Sequence, residues 1–348
     1  MKKKIKNHQE QIHRIRSGRE KASDLETLSE GIRTGSRTAL SKGITLVESL
    51  REEDRRSAQD LLAALLPFSG NSIRIGISGV PGAGKSTFIE AFGSLLCSMG
   101  RKVAVLAVDP SSEIAKGSIM GDKTRMNELA ANENAFIRPS PSGGNLGGVA
   151  RRTRESIFLC EAAGFDTILV ETVGVGQNET AVHHMVDLFL LIALAGSGDE
   201  HQGIKRGITE LADIILVNKA DGENLPRAKA ARQDLIRALH FLPERENKVP
   251  VEVFLCSALE KTGLSEIWQA IEGFEKASRK ANFFESNRKK QLVSWLHDSL
   301  KEELWNTFMK RDGIEKLLHQ FETDVLQMKC SVNHAALELM QKFNSSDN

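Results

Sequence analysis

Residues 79 to 87 read Gly79-Val80-Pro81-Gly82-Ala83-Gly84-Lys85-Ser86-Thr87, directly after the apolar run Ile73 to Ser78. Gly79, Gly84, Lys85 and Ser86 meet the spacing G-x-x-x-x-G-K-[ST]. Gly82 and Gly84 let backbone N–H groups curl around a phosphate with no Cβ in the way, and a helix starting here adds its N-terminal donors and the positive end of its dipole. Lys85 would bridge a β- and a γ-phosphate, and the Ser86 hydroxyl would coordinate Mg²⁺. Thr87 either reaches the α-phosphate or caps the helix. The residues point to a nucleoside triphosphate.

Two acidic residues stand at the ends of other apolar runs: Asp109 after Val-Ala-Val-Leu-Ala-Val and Glu171 after Thr-Ile-Leu-Val. Carboxylates at the carboxyl ends of parallel strands lie on the edge where ligands bind. One of the two is expected to hold Mg²⁺ directly or through water; the other reading of Asp109 is that it only starts the turn Asp109-Pro110-Ser111-Ser112. Asp122, in Gly-Asp-Lys-Thr-Arg-Met, is a third acid for the metal or a surface charge. The stretch Glu171 to Gln177 is similar to the D-x-x-G element of GTPases with Glu for Asp, so Gly174 would present its N–H to a γ-phosphate.

Base choice is read from Asn218-Lys219-Ala220-Asp221. The Asp221 carboxylate can accept from both N1–H and the N2 amino group of guanine, a donor pair that adenine lacks. A site built for such donors rejects the analogue by ~10⁴ or more, because the buried carboxylate is left unpaired. Asn218 would brace neighbouring loops, and the Lys219 stem would cover the purine face. Ser257-Ala258-Leu259 follows a later apolar run, and the Ala258 N–H would donate to guanine O6. The expected cofactors are GTP or GDP with Mg²⁺.

The elements that position these groups follow from periodicity. Continuous apolar runs at Ile73 to Ser78, Val103 to Val108, Thr167 to Val170, Leu188 to Leu194, Ile214 to Val217 and Val251 to Leu255 alternate with helix-length segments. Burial on both faces is what a parallel sheet between helical layers requires. The fold class is therefore α/β, a doubly wound and mostly parallel P-loop domain over residues 71–275. Residues 1–70 are expected to form a basic arm to about residue 34, solvated and in one reading helical in part, and then a helical hairpin, with Leu40, Ile44, Val47 and Leu50 on one helix and Leu61, Leu62, Leu65 and Leu66 on the other. Residues 276–348 form a helical arm: Leu292, Leu296, Leu300, Leu304 and Phe308 on one long helix, then, past Gly313, Ile314, Leu317, Phe321, Val325 and Met328 on a second. Such an arm either packs on its own domain or forms a dimer seam; the length of the stripe favours the dimer.

Composition excludes several classes. The chain has 348 residues, 40% hydrophobic and 27% charged, with a formal net charge of +1, so global disorder is excluded. Eight Lys or Arg against Glu10 and Glu20 fall in residues 1–21, leaving 39 basic and 44 acidic residues in the rest. An acidic body argues against nucleic acid as a partner. Cys97, Cys160, Cys256 and Cys330 are dispersed, so neither a disulfide framework nor a structural zinc site is expected. The longest apolar run, Leu188 to Ala195, is far short of the roughly 20 residues that cross a bilayer, so no membrane partner is expected. Basic residues at the start lack a secretory apolar core, and the two glutamates interrupt a mitochondrial leader, so the expected compartment is the cytoplasm.

Ser36 to Ser49, Val108 to Ser112, Gly117 to Met126, Ser140 to Glu155, Glu171 to Glu179 and Gly198 to Ile208 together resemble the MeaB/ArgK branch of P-loop GTPases. The resemblance covers most of the chain. It implies a homodimeric GTPase that chaperones an adenosylcobalamin-dependent acyl-CoA mutase of the methylmalonyl-CoA mutase type, gating cofactor loading and protecting the mutase. No cobalamin site on the chain itself is predicted. It further implies Mg²⁺ near Ser86, Asp109, Asp122 and Glu171, and responsive segments near 109–125, 174–184 and 196–207. In the last of these Lys205 would stabilise charge on the transferring phosphoryl, its other reading being an ordinary solvated lysine. One departure is His201, where the family usually has Leu. Gln177 follows Gly174 by three residues, which gives it no Ras-like role toward water, and the residue positioning the hydrolytic water stays unassigned. The rival readings are a protein kinase or ATPase linked to amino-acid transport, suggested by older names in this branch, and a metal-delivery GTPase. For the latter the adjacent His183-His184 make a poor metal pair, because neighbours on a helix point about 100° apart.

Overall fold

The computed structural model describes residues 24–108, 126–139, 146–172, 178–195, 209–241 and 245–345. The chain divides into two compact units, Met1–Lys289 and Lys290–Asn348. In the first, residues 24–33 (α1), Arg37–Glu48 (α2) and Glu52–Leu65 (α3) precede the sheet. The sheet is built from β1 (Ile73–Gly79), β2 (Val103–Val108), β3 (Ala135–Arg138), β4 (Thr167–Thr172), β5 (Leu188–Leu194), β6 (Ile214–Asn218) and β7 (Glu252–Leu255). Between them run α4 (Lys85–Ser98), α5 (Asn127–Ala131), α6 (Leu146–Ala162), α7 (Asn178–His183) and α8 (Leu225–Leu239), and α9 (Leu264–Lys280) follows β7.

The strand order is β3-β2-β4-β1-β5-β6-β7, and every pairing is parallel. This is the doubly wound α/β sheet that the apolar runs predict, with one strand more. The run Ala135–Arg138 is four residues between Asn134 and Pro139, too short to stand out by periodicity, and it survives by pairing with β2 at the edge of the sheet. Alternate residues of each strand serve opposite layers: Ile73, Ile75, Ile77, Leu169 and Leu190 face a core with Phe88, Phe92, Trp268 and Ile271 of α4 and α9. On the other face Ile168, Val170, Phe189 and Ile215 join Leu159 of α6 and the hairpin residues Leu40, Ile44 and Leu61. Gly76 is required by this layer, since a Cβ there would lie 2.9 to 3.0 Å from Phe189, Val182 and Val186.

The N-terminal segment corrects one expectation. Residues 24–33 are helical, as a partly helical arm would be, but they are not a solvated arm: Ile32 is fully buried in the core with α2 and α6. Leu25, Leu28 and Ile32 stand at helical spacing, and Leu25 and Leu28 pack against the same core; so short a stripe does not by itself tell a buried helix from a solvated one. The basic residues 1–23 lie outside the described residues.

A buried ion network fixes the amino ends of the strands. Arg74 on β1 makes two hydrogen bonds to Glu161 of α6, both 2.9 Å. Glu161 also accepts from the Gly70 N–H and the Ser72 hydroxyl at 2.7 Å. Burial alone would push the Glu161 carboxyl up, but the charge and hydrogen bonds of Arg74, the Ser72 hydroxyl and the Arg288 charge together hold it below its ordinary value. Arg288 lies near the start of α10 (Phe283–Met309) and reaches both oxygens of Asp187 at 2.7 Å. Removing one member would strand a buried charge, at a cost of ~3–5 kcal/mol.

The second unit holds the rest of α10, with α11 (Ile314–Leu326) and α12 (Val332–Ser345). Three helical segments replace the two expected. The break at Gln327 to Ser331 is set by Met328 in a left-handed conformation, which apolar spacing does not reveal. Phe308, Ile314 and Leu339 form a small core with Leu317, Leu318, Phe321 and Phe343 around it. Leu292, Leu296, Leu300 and Leu304 on α10 are each half or more exposed. No helix among the described residues is long and apolar enough to cross a membrane.

Candidate functional site

β1 delivers the chain to the phosphate loop. All seven residues of β1 are buried, and beyond Gly79 the backbone turns through Gly82 and Gly84, with φ of 78° and 87°, into α4 at Lys85. Gly84 is forced twice over: its φ lies in the left-handed region, and a Cβ would stand 2.7 Å from Asn218 Nδ2. Ala83 is buried, Val80, Lys85 and Ser86 are half-buried, and Pro81, Gly82 and Thr87 are exposed. The amino end of a 14-residue helix thus opens at the carboxyl edge of the sheet, the donor arrangement that an anion accepts. Lys85 Nζ folds back to donate to Gly79 O at 2.9 Å.

Glu171 is the second component. It lies within β4 rather than just after it, paired with Ile77 on β1 and Ala107 on β2, and it is buried at 3% exposure. Ser86 Oγ donates to its Oε1 at 3.3 Å. A hydroxyl and a carboxylate this close form a hard oxygen pair, which suits Mg²⁺ and not a softer metal. Asp109, Asp122, Gly174 and Lys205 lie outside the described residues.

The third component is a pair of loops at the ends of β6 and β7. Asn218, 2% exposed, donates from Nδ2 to Ala83 O at 2.8 Å and accepts at Oδ1 from the Ala258 N–H at 3.1 Å. One side chain thereby links the phosphate loop to the loop after β7. Lys219 is exposed and left-handed at φ 59°, held by the Asn224 side chain, which donates to its carbonyl at 2.6 Å. Ala220 N–H donates to Cys256 O at 3.0 Å, so the two loops travel together. The Ser257 hydroxyl donates to Asp221 Oδ2 and accepts from the Glu260 N–H at 3.1 Å, which fixes the direction of the Asp221 carboxylate. Leu259 is largely exposed. Sequence reasoning placed the Ala258 N–H toward a base oxygen; here it is engaged by Asn218.

Gly79 to Thr87, Glu171, Asn218 to Asp221 and Ser257 to Leu259 all stand at the carboxyl ends of β1, β4, β6 and β7, the edge where doubly wound sheets take ligands. Two buried residues between them, Ser78 and Thr172, occupy positions to which the motifs assign no role. Their only sequence signal is their place, one residue before Gly79 and one after Glu171.

The family model for the methylmalonyl-CoA mutase-associated GTPase MeaB matches residues 40–312. The chain belongs to the MeaB family. It is a P-loop GTPase, an enzyme that hydrolyses GTP. Among curated relatives, the Escherichia coli K12 protein named GTPase ArgK is 48% identical over 297 residues, covering 84% of this chain and 90% of that one. The mouse protein named methylmalonic aciduria type A homolog, mitochondrial, is 40% identical over 331 residues, covering 92% of this chain and 80% of that one. A crystal structure described as an LAO/AO transport system kinase superposes with a TM-score of 0.74 at 39% identity, covering 92% of this chain and 98% of that chain. The matched residues span the sheet and the three loops at its edge.

Proposed function

We propose that this MeaB-family GTPase binds GTP with Mg²⁺ at the carboxyl edge of its sheet and uses the nucleotide state to chaperone an adenosylcobalamin-dependent acyl-CoA mutase of the methylmalonyl-CoA type. The observation that carries the nucleotide reading is the buried Asn218 carboxamide, which joins Ala83 in the phosphate loop to Ala258 in the base loop. A ligand with a phosphate chain at one end and a base at the other needs those two loops held at a fixed distance.

In this reading the backbone N–H groups of Gly82 to Ser86 and the Lys85 ammonium receive the β- and γ-phosphates. Ser86 and Glu171 hold the metal, with Asp109 and Asp122 as further acids, and the Gly174 N–H faces the γ-phosphate. Bound magnesium supplies neutralisation of phosphate charge. Lys205 acts on the same charge. Asp221, already oriented by Ser257, keeps lone pairs on both oxygens for guanine N1–H and N2. Lys219 covers the base with its stem, and the Ala258 N–H is shared between Asn218 and guanine O6. No cobalamin site of its own is proposed.

The mutase partner rests on the family description and on the naming of relatives for methylmalonic aciduria. A second copy of this chain is the proposed occupant of the exposed leucine face of α10, because the row of Leu292, Leu296, Leu300 and Leu304 is continuous and apolar.

One experiment tests nucleotide and partner together. Asp221→Asn is expected to exchange guanine for xanthine preference, because the amide can donate to the O2 that replaces the N2 amino group. Capture from cell lysate is expected to retain a cobalamin enzyme with one nucleotide state of GTP for the wild type, and with the corresponding xanthosine nucleotide for the variant. Unchanged guanine preference would sink the base assignment, and recovery of no cobalamin enzyme in either state would sink the chaperone reading.

A further inference from the structure

Three strands end side by side next to the phosphate loop, and a pair of hydroxyl groups lies where their pairing stops. β1 pairs with β4 as far as Ile77↔Glu171, and β2 pairs with β4 as far as Val108↔Thr172. One step beyond the β1–β4 ladder, Thr172 Oγ1 donates to Ser78 Oγ at 2.9 Å. Both residues are fully buried. β1 runs on one residue further, to Gly79, where it is paired with Ile192 of β5, while β2 ends at Val108 and β4 at Thr172. Thr172 therefore sits at the meeting point of all three, and next to it in the chain is Glu171, whose carboxylate lies 3.3 Å from Ser86 Oγ.

Valine at 172 would fill the same space and suit the strand equally well, and alanine at 78 would close against it. Two buried hydroxyls bring a desolvation cost that their mutual bond offsets, helped by a longer contact of Thr172 Oγ1 with Ile77 O at 3.5 Å. Their gain is directional: the bond carries the β1–β4 contact one residue past the backbone ladder, so the end of β4, paired with β2 at Val108, is tied also to β1 where it runs into the phosphate loop. Glu171 lies inside that clamp, with backbone pairing on its amino side and the hydroxyl bond on its carboxyl side.

We propose that the Thr172–Ser78 hydroxyl bond is a positioning element for the metal-dependent step, holding the Glu171 carboxylate against the Ser86 hydroxyl. This rests on the reading of Ser86 and Glu171 as the metal-holding pair. Neither Thr172 nor Ser78 touches the nucleotide in it; they act through Glu171.

The test is a Mg²⁺ titration of the full-length protein binding a fluorescent, non-hydrolysable GTP analogue, run beside GDP binding in EDTA and a thermal melt. Thr172→Val is expected to raise the half-saturating Mg²⁺ concentration about five- to tenfold, the equivalent of one lost hydrogen bond, and to leave GDP affinity in EDTA within about twofold. Thr172→Ser keeps the hydroxyl and is expected to titrate within about twofold of wild type, while the Ser78→Ala, Thr172→Val double variant is no weaker than either single one, since neither hydroxyl is then left unpaired. Should Thr172→Val not fold, Ser78→Ala carries the same comparison. A Thr172→Val titration matching wild type, a Thr172→Ser variant as weak as Thr172→Val, or equal losses with and without Mg²⁺ would each overturn the proposal. A wild-type protein whose GTP binding ignores Mg²⁺ would overturn the metal reading itself and this inference with it, whereas a Mg²⁺-dependent wild type with an unaffected variant would overturn this inference alone.

Discussion

Replacing Asn218 by alanine removes a buried group that bonds to both loops of the site. Its Nδ2 bond to Ala83 O is 2.8 Å and its Oδ1 bond from the Ala258 N–H is 3.1 Å, and the residue is 2% exposed. Each bond is worth about 1 kcal/mol net, and each backbone group left buried without a partner costs about 1–3 kcal/mol. Gly84 and Val80 beside it are half-buried, so water can reach part of the gap, and the expected total is about 2–3 kcal/mol. That corresponds to a ~30- to 150-fold loss of GDP affinity if all of it is expressed in binding. Fluorescence titration with GDP and equilibrium urea unfolding of the same preparations measure the two destinations of this energy. Asn218→Asp is the informative companion: it keeps the acceptor for Ala258 but sets an oxygen in place of the donor, 2.8 Å from the Ala83 carbonyl, and is expected to be at least as damaging. An Asn218→Ala protein that binds GDP within about threefold of wild type and unfolds at the wild-type midpoint would refute the reasoning. A protein that loses stability but keeps its affinity would show that the bridge supports the fold without setting the distance between phosphate and base.

Two further predictions concern assembly and pH. Leu296→Glu with Leu300→Glu on the exposed face of α10 is expected to turn a dimer into a monomer in light scattering while leaving GDP binding intact; an unchanged mass would remove that face as the seam. Burial, with His184 and Arg245 nearby, holds His183 down at about 4. Unfolded histidine protonates near 6.5, so between these values the unfolded chain binds a proton that the folded one refuses. Stability is therefore full above pH 6.5 and falls by up to about 3 kcal/mol as pH drops toward 4. His183→Phe should remove that slope in unfolding curves taken across the interval, and a variant with the same acid dependence as wild type would show that the slope arises elsewhere.

The sequence alone determined the chemistry that local order can encode. The phosphate loop needs its glycines, lysine and serine at fixed spacing along one turn, and the base loop needs Asn218 and Asp221 three apart, so both are legible without a third dimension. Continuous apolar runs likewise revealed six of the seven strands, since a strand buried on both faces must be apolar throughout. Tertiary structure decided what depends on distant partners. β3 exists because β2 offers it an edge, and the helix over residues 24–33 shows its short stripe of Leu25, Leu28 and Ile32 in the sequence, while only the fold decides that this stripe is buried. The break between α11 and α12 depends on a left-handed residue rather than on spacing. In the site itself, Asn218 reaches Ala83 across 135 positions and Thr172 reaches Ser78 across 94, and no motif spans such separations. A hydrogen bond acts over about 3 Å of space whatever the length of chain between its partners, so the chain can state which groups are present, while only the packed sheet decides which of them meet.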